Sequence, residues 1–200
     1  MKALLAALAV ALAGPAFLWK ATDGFQALTA EDARRVAAMR DRPMVPDIRL
    51  RAMSGEVIGL PSADRKVTMV EFIYTTCPTI CQSAGTDLAR VRDGLVEKGL
   101  GDEVRILSIS FDPETDGPHQ LSAYGESHGA DGRIWTITRP DVDALPRLLR
   151  AFGVVVIPDR FGGYQHNAAL HVVDPQGRLS AILDTDDITG ALGAAKRASQ

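Results

Sequence analysis

Cysteine is scarce in this chain: two among 200 residues, at Cys77 and Cys81. That is far too few for the disulfide framework that props up a small secreted scaffold, so the pair reads as a site and not a staple. A basic run is missing as well. The formal net charge is -3, and no stretch of Lys and Arg could neutralise a row of phosphates, which argues against nucleic acid as a partner. Internal repeats and low-complexity tracts are absent too. What remains, 46% hydrophobic and 24% charged residues, suits one globular domain with a short tail and demands no second core.

Charge is also missing near the N-terminus. After Lys2 the chain is uncharged from Ala3 to Trp19, and then come Lys20 and the polar Thr22-Asp23-Gly24. A bilayer needs about 20 apolar residues, so this run is at the short edge of a span, and Ala11-Leu12-Ala13 offers an A-x-A cleavage site. The apolar run continues past that site through Phe17, Leu18 and Trp19, and Trp favours a membrane interface. Residues 1–20 are therefore read as a signal anchor in preference to a cleaved signal peptide. Either way the domain is expected outside the cytoplasm, on the periplasmic side of the inner membrane in a bacterium, where thiols can be oxidised. Thr29-Ala30-Glu31-Asp32 has an N-cap residue followed by acids, Ala33 to Arg40 continues with helix formers, and Arg42-Pro43 and Pro46 stop the helix. Residues 21–45 are read as a stalk, although a helix packed on the domain fits the propensities equally.

The domain, residues 46–200, alternates strand and helix patterns, which predicts an α/β sheet. Val67 to Tyr74 is an apolar, β-branched run typical of a buried strand. Pro78 to Glu97 has Leu88, Val91 and Leu95 at helical spacing, closed by Gly99. Val104 to Phe111 is a second strand, ending in the turn-rich Asp112-Pro-Glu-Thr-Asp-Gly117. A helix over Pro118–His128, a strand over Ile134–Thr138 and a helix over Val142–Phe152 follow. Gly153 to Asn167 is expected to be irregular. Ala168–Val173 and Leu179–Leu183 read as strands joined by the turn Asp174-Pro-Gln-Gly177, and Ile188–Ala198 as the last helix. This order, with a strand delivering a cysteine pair to a helix start, resembles the thioredoxin fold: a central mixed sheet flanked by helices.

Cys77 falls where the first of these strands gives way to the helix, just before Pro78, a residue suited to the first helical position. Unsatisfied N–H groups at a helix start favour thiolate over thiol. A thiolate either attacks a disulfide or binds a metal, so both chemistries are open. The spacing divides them in part. Residues four apart on a helix have Cβ atoms about 5–6 Å apart, whereas a disulfide wants roughly 3.5–4.5 Å. A Cys77–Cys81 disulfide thus requires the turn to bend, while two sulfurs with three residues between them suit a metal ion.

The wider sequence resembles the SCO/SenC copper-chaperone family. Phe72-Ile-Tyr-Thr-Thr-Cys77-Pro-Thr-Ile-Cys81 is similar to the family's T-x-C-P-x-x-C motif at an aromatic strand end. Ser110-Phe-Asp-Pro-Glu-Thr-Asp116, with Leu121 and Tyr124, is similar to the segment after its next strand. Tyr164-Gln-His166-Asn and Asp174-Pro-Gln-Gly177 are similar to its histidine loop and hairpin. The resemblance implies that Cys77, Cys81 and His166 bind one copper ion per chain, that Cys77 and Cys81 form a redox disulfide, and that the partners are a copper-receiving oxidase subunit and an exported thioredoxin-like reductant. The chemistry agrees: thiolates select Cu(I), imidazole accepts both copper states, and no hard oxygen donor is in the set. The chain departs from the family in having Gln165-His166-Asn167 where Asp-His-Ser is usual, and Gln82 where a second proline is usual. Neither change removes a ligand. His171, on the alternating face with Ala169 and Val173, is expected to be packed. His128 is placed for a helix C-terminal dipole, and Asp112 is read as a turn-former before Pro113 in preference to part of a surface that meets the partner near the copper.

The implied function is delivery of copper for the binuclear site of a cytochrome c oxidase subunit. A thiol-disulfide oxidoreductase, with Cys77 attacking and Cys81 resolving, is the alternative. Its spacing differs from the two-residue gap of thioredoxin-type pairs, and His166-Asn167 stands where such reductases carry a cis-proline. A peroxiredoxin is excluded by Val70 and Tyr74, which occupy the Pro and Thr positions of the P-x-x-x-T-x-x-C signature.

Overall fold

The computed structural model describes residues 2–77, 80–160 and 162–200. The side chains at 3–10, 12 and 80–83 lie outside the described set, and with them the Cys81 thiol. Pro78, expected at the helix start, is outside it altogether. Contacts divide the chain into Met1–Asp41 and Arg42–Gln200.

The first unit has two helices, α1 (Lys2–Ala21) and α2 (Ala30–Asp41). Among the described residues no helix is long and apolar enough to cross a membrane, so the anchor expected over residues 1–20 is not evident from them. The predicted cap on α2 is present in both directions: Asp32 N–H donates to Thr29 Oγ1 at 3.0 Å, and Thr29 N–H to the Asp32 carboxylate at 3.1 Å. Such reciprocal bonds satisfy donors that a helix start leaves unpaired. Glu31 in the first turn meets Arg34 and Arg35 at 2.7 and 3.0 Å. The Arg34 bond foremost holds its carboxyl down at about 2.

The second unit is built on a seven-stranded sheet. Its strands are β1 (Ile48–Ala52), β2 (Val57–Leu60), β3 (Val67–Ile73), β4 (Val104–Ser110), β5 (Trp135–Pro140), β8 (Leu170–Val173) and β9 (Leu179–Leu183), in the order β2-β1-β5-β4-β3-β8-β9. β3, β4 and β5 run parallel, and the outer strands are antiparallel. The sheet is therefore mixed, as expected. All seven residues of β3 are buried, because the strand is central and covered on both faces. That explains why its sequence is mostly apolar and does not alternate, with Thr68 and Glu71 as the buried exceptions. The hairpin β1–β2 has no counterpart in the sequence reading: Ile48-Arg-Leu-Arg-Ala52 alternates, but too briefly to stand out from a loop.

Four helices complete the unit: α3 (Ile80–Glu97), α4 (Pro118–His128), α5 (Leu145–Phe152) and α6 (Ile188–Ala198). The expected helix over Val142–Phe152 opens with a 3-10 turn at Val142–Ala144 before α5, since Pro146 is accepted only in a first α-helical turn. α3, α4 and α6 share the sheet face of Met69, Glu71 and Ile106. Gly85 of α3 permits its close approach to α4, for a Cβ there would collide with the His128 ring. That ring, expected to serve the helix dipole, also stacks on Tyr124 at 4.2 Å. On the opposite face, Phe152 of α5 meets Phe72 and His171, centroids 5.3 and 5.2 Å away. His171 is fully buried and hydrogen-bonds Val70 O through Nδ1 at 3.2 Å. It is a packed residue, as its alternation predicted. The turn Asp174–Gly177 is held by the Asp174 carboxylate, which accepts from the N–H groups of Gln176 and Arg178 at 2.9 Å each.

The stretch 153–167 corrects the expectation of irregular structure. It contains β6 (Val156–Pro158) and β7 (Tyr164–His166), paired antiparallel as a separate two-stranded sheet, with Val156 opposite His166. Each strand has three residues and half-exposed or exposed side chains. Neither period nor burial could mark them in the sequence.

Candidate metal centre

Two arms carry the predicted ligands. The cysteine arm begins where β3 ends. Tyr74 is buried, Thr75 and Thr76 turn, and Cys77 is 6% exposed, its N–H reaching Tyr74 O at 3.3 Å. Cys81 stands in the first turn of α3, so strand and helix start deliver the pair as the spacing implied.

What holds this arm was not legible beforehand. Asp116, in the loop between β4 and α4, is completely buried. Its carboxylate accepts from Thr75 N–H at 2.9 Å, the Thr75 hydroxyl at 2.6 Å and the Ser110 hydroxyl at 2.5 Å. Three donors on one buried carboxylate satisfy a group that would otherwise be costly to desolvate. Ser110 Oγ in turn accepts Asp112 N–H at 3.0 Å, and Phe111 N–H donates to Ile73 O at 2.9 Å. In sequence Asp116 is one polar residue among several in a turn before Gly117-Pro118, which gives no sign that it faces inward.

The histidine arm is the β6–β7 hairpin. Its base is pinned by Asn167, whose Oδ1 accepts Val155 N–H at 2.7 Å while Nδ2 donates to Gly153 O at 3.0 Å. His166 is half-buried. Its Nδ1 is enclosed and has no hydrogen-bond partner among the described residues, and burial lowers its pKa below the usual imidazole value. The ring is therefore a neutral base, the form in which imidazole ligates a metal.

Aromatic rings join the arms. Phe111 is 5.4 Å from Tyr74, 5.5 Å from Tyr164 and 5.0 Å from His166, between centroids, and Tyr74 and Tyr164 are 5.2 Å apart. Phe111 thus touches both the residue three positions before Cys77 and the histidine itself. Burial foremost, and after it the negative charge of the nearby Asp112, raises the Tyr164 phenol's pKa. Among the described residues no three His, Cys, Asp or Glu side chains form a metal-sized cluster. The Cys81 thiol lies outside that set.

The family model SCO1/SenC matches residues 38–198. The chain belongs to the SCO1/SenC family. A SCO1 protein homolog of Bacillus subtilis strain 168 is 25% identical over 130 residues, 62% of this chain and 65% of that protein; the match therefore spans just under two thirds of that relative's length. Among solved structures, Bradyrhizobium japonicum ScoI with copper bound superposes with a TM-score of 0.66 at 22% identity, over 78% of this chain and 99% of that one. BsSco, a Sco-family cytochrome c oxidase assembly protein with a disulfide switch, gives a TM-score of 0.68 at 22% identity, over 78% and 93%. At these identities the likeness is one of fold, and the fold is thioredoxin-like.

These donors are chemically suited to copper. His166 offers an enclosed nitrogen that lacks a hydrogen-bond partner among the described residues, and the cysteine arm offers sulfur at a helix start. A cleft of about 480 Å³ lined by Lys98, Leu100, Thr189, Leu192, Gly193 and Lys196 is at the far end of α3 and takes no part in this site.

Proposed function

We propose that this SCO1/SenC protein is a copper metallochaperone that holds one copper ion between Cys77, Cys81 and His166 and passes it to the binuclear copper site of a cytochrome c oxidase subunit. The observation that carries this reading is the enclosed Nδ1 of a neutral His166, without a hydrogen-bond partner among the described residues, on an aromatic wall that ends three residues before Cys77. A buried polar nitrogen without a partner costs about 1–3 kcal/mol, and a bound metal ion would remove that cost. Two thiolates and one imidazole are soft to borderline donors, which favours Cu(I) and tolerates Cu(II). Three ligands leave the ion open to ligand exchange with a client.

The same sulfurs serve a second state. Copper binding and the Cys77–Cys81 disulfide exclude each other, because both need the thiolate electron pairs, so oxidation empties the site and an exported thioredoxin-like reductant restores it. A disulfide switch in a Sco protein of the same fold supports this reading. The domain works outside the cytoplasm, held or exported by residues 1–20.

Titrating the reduced full chain anaerobically with Cu(I) against a chelator tests the assignment. One tightly held equivalent is expected. Cys77→Ser or Cys81→Ser should abolish it, since a hydroxyl is a hard, poorly ionised donor. His166→Ala should keep Cu(I) and lose Cu(II), while His171→Ala leaves the stoichiometry unchanged. Two equivalents, no tight copper, or the two histidine variants with roles reversed would overturn it.

A further inference from the structure

The loop from Phe111 to Gly117 grips both arms. On the cysteine side Asp116 takes both donors of Thr75, two residues before Cys77. On the histidine side Phe111 packs its ring on His166 and on Tyr164, two residues before it. Ser110 closes the loop on itself, giving its hydroxyl hydrogen to Asp116 and accepting from Asp112 N–H. The arms also meet directly where Tyr164 N–H approaches the Tyr74 hydroxyl at 3.4 Å, a long hydrogen bond. The shorter, charge-assisted bonds tie the loop to the cysteine arm, and ring packing ties it to the histidine arm.

The two cysteines share one strand-to-helix corner, so their separation is set locally by the first turn of α3. The histidine comes from a hairpin about 90 residues further along, and its distance from the sulfurs depends on whatever ties the arms together. We propose that Asp116 is a positioning residue for the third ligand: by locking the loop to the cysteine arm it fixes the span from the sulfurs to His166, and so sets Cu(II) retention while leaving Cu(I) to the thiolates. This rests on the copper reading above. It adds that the two copper states are controlled by different parts of the fold. Cu(I) is satisfied by two soft sulfurs, whereas Cu(II) needs the imidazole in place.

Asp116→Asn tests it in the full chain. Asn keeps the shape but removes the charge and replaces one acceptor oxygen by a donor, so the bonds lose their charge assistance and a hydroxyl facing the new N–H must reverse to accept. Cu(II) affinity should fall by about tenfold or more, equivalent to about 1.4 kcal/mol, with a shifted thiolate-to-Cu(II) absorption band and altered paramagnetic resonance. Cu(I) affinity against the chelator should change by less than about threefold. Thr75→Val, which alters no charge and removes only the hydroxyl bond to Asp116, should move Cu(II) in the same direction by a smaller factor. Thr75→Ser, which keeps both donors, should match the parent chain. Should Asp116→Asn fail to fold, Thr75→Val decides. The proposal is overturned if Cu(I) and Cu(II) affinities fall together in a folded variant, or if neither moves. A parent chain that binds no copper would instead remove the metallochaperone reading itself.

Discussion

The cysteine arm and the histidine arm are built in opposite ways. One issues from the most buried strand of the main sheet and is tied by a carboxylate with no exposed surface. The other is a two-stranded sheet of three-residue strands, with Val155 and Ile157 more than half exposed. Burial and charge-assisted bonds make the first expensive to disturb, while the second rests on one asparagine at its base and an aromatic wall. In the proposed site this gives a rigid half that keeps the two cysteines together and a compliant half that brings the histidine. Under the proposed function, that asymmetry suits an ion that must be bound and then released.

The largest expected effect that separates the arms is pH-dependent. Glu71, in β3 beneath the cysteine arm, is 2% exposed. Its described hydrogen-bond partner is the Ser108 hydroxyl at 3.3 Å, which itself accepts from Trp135 Nε1 at 3.0 Å. Burial foremost pushes its carboxyl up to about 8 from an ordinary 4.5, against the Ser108 bond and with help from Asp87. The native state therefore binds one more proton than the unfolded state between those values, and stability falls as pH rises through that window and is level on either side. The slope is at most about 1.4 kcal/mol per pH unit. Denaturant unfolding at pH 5 and pH 8 should show the loss in the parent chain and a flatter profile in Glu71→Gln. Equal slopes in both would mean that Glu71 is already ionised.

Next in size, Asp116→Ala leaves the Thr75 and Ser110 donors without a partner in a buried loop and should cost about 3 kcal/mol or more. Asn167→Ala, at the base of the exposed hairpin, should cost about 1 kcal/mol. Guanidinium midpoints of the two variants measure the difference between the arms directly. If Asn167→Ala proved the more damaging, the contrast between a rigid and a compliant half would collapse.

Elements with a strong pattern were legible before any coordinates. The sequence reading placed β9, α4 and α6 at their observed ends, and β3 and β4 within a residue, because each is either a buried apolar run or an amphipathic helix with clear stops. His171 was read as packed from its parity with Ala169 and Val173. The β6–β7 hairpin was missed since strands so short and exposed bury too little to leave a pattern. Asp116 was missed for another reason. A carboxylate in a turn of six polar or turn-forming residues reads as solvated, and only the return of Thr75 to the end of β4 shows that it points inward.

The sequence by itself determined the chemistry: the two sulfurs four positions apart, their place at a strand-to-helix junction and the family motifs follow from residue type and local spacing. Tertiary structure alone decided how the third ligand is held. His166 gains its meaning from Phe111 and from an enclosed Nδ1, and Asp116 from donors 41 and 6 residues away along the chain. Local propensity is a property of a few neighbouring residues, whereas the burial that neutralises an imidazole or makes a carboxylate a brace exists only once distant segments have packed.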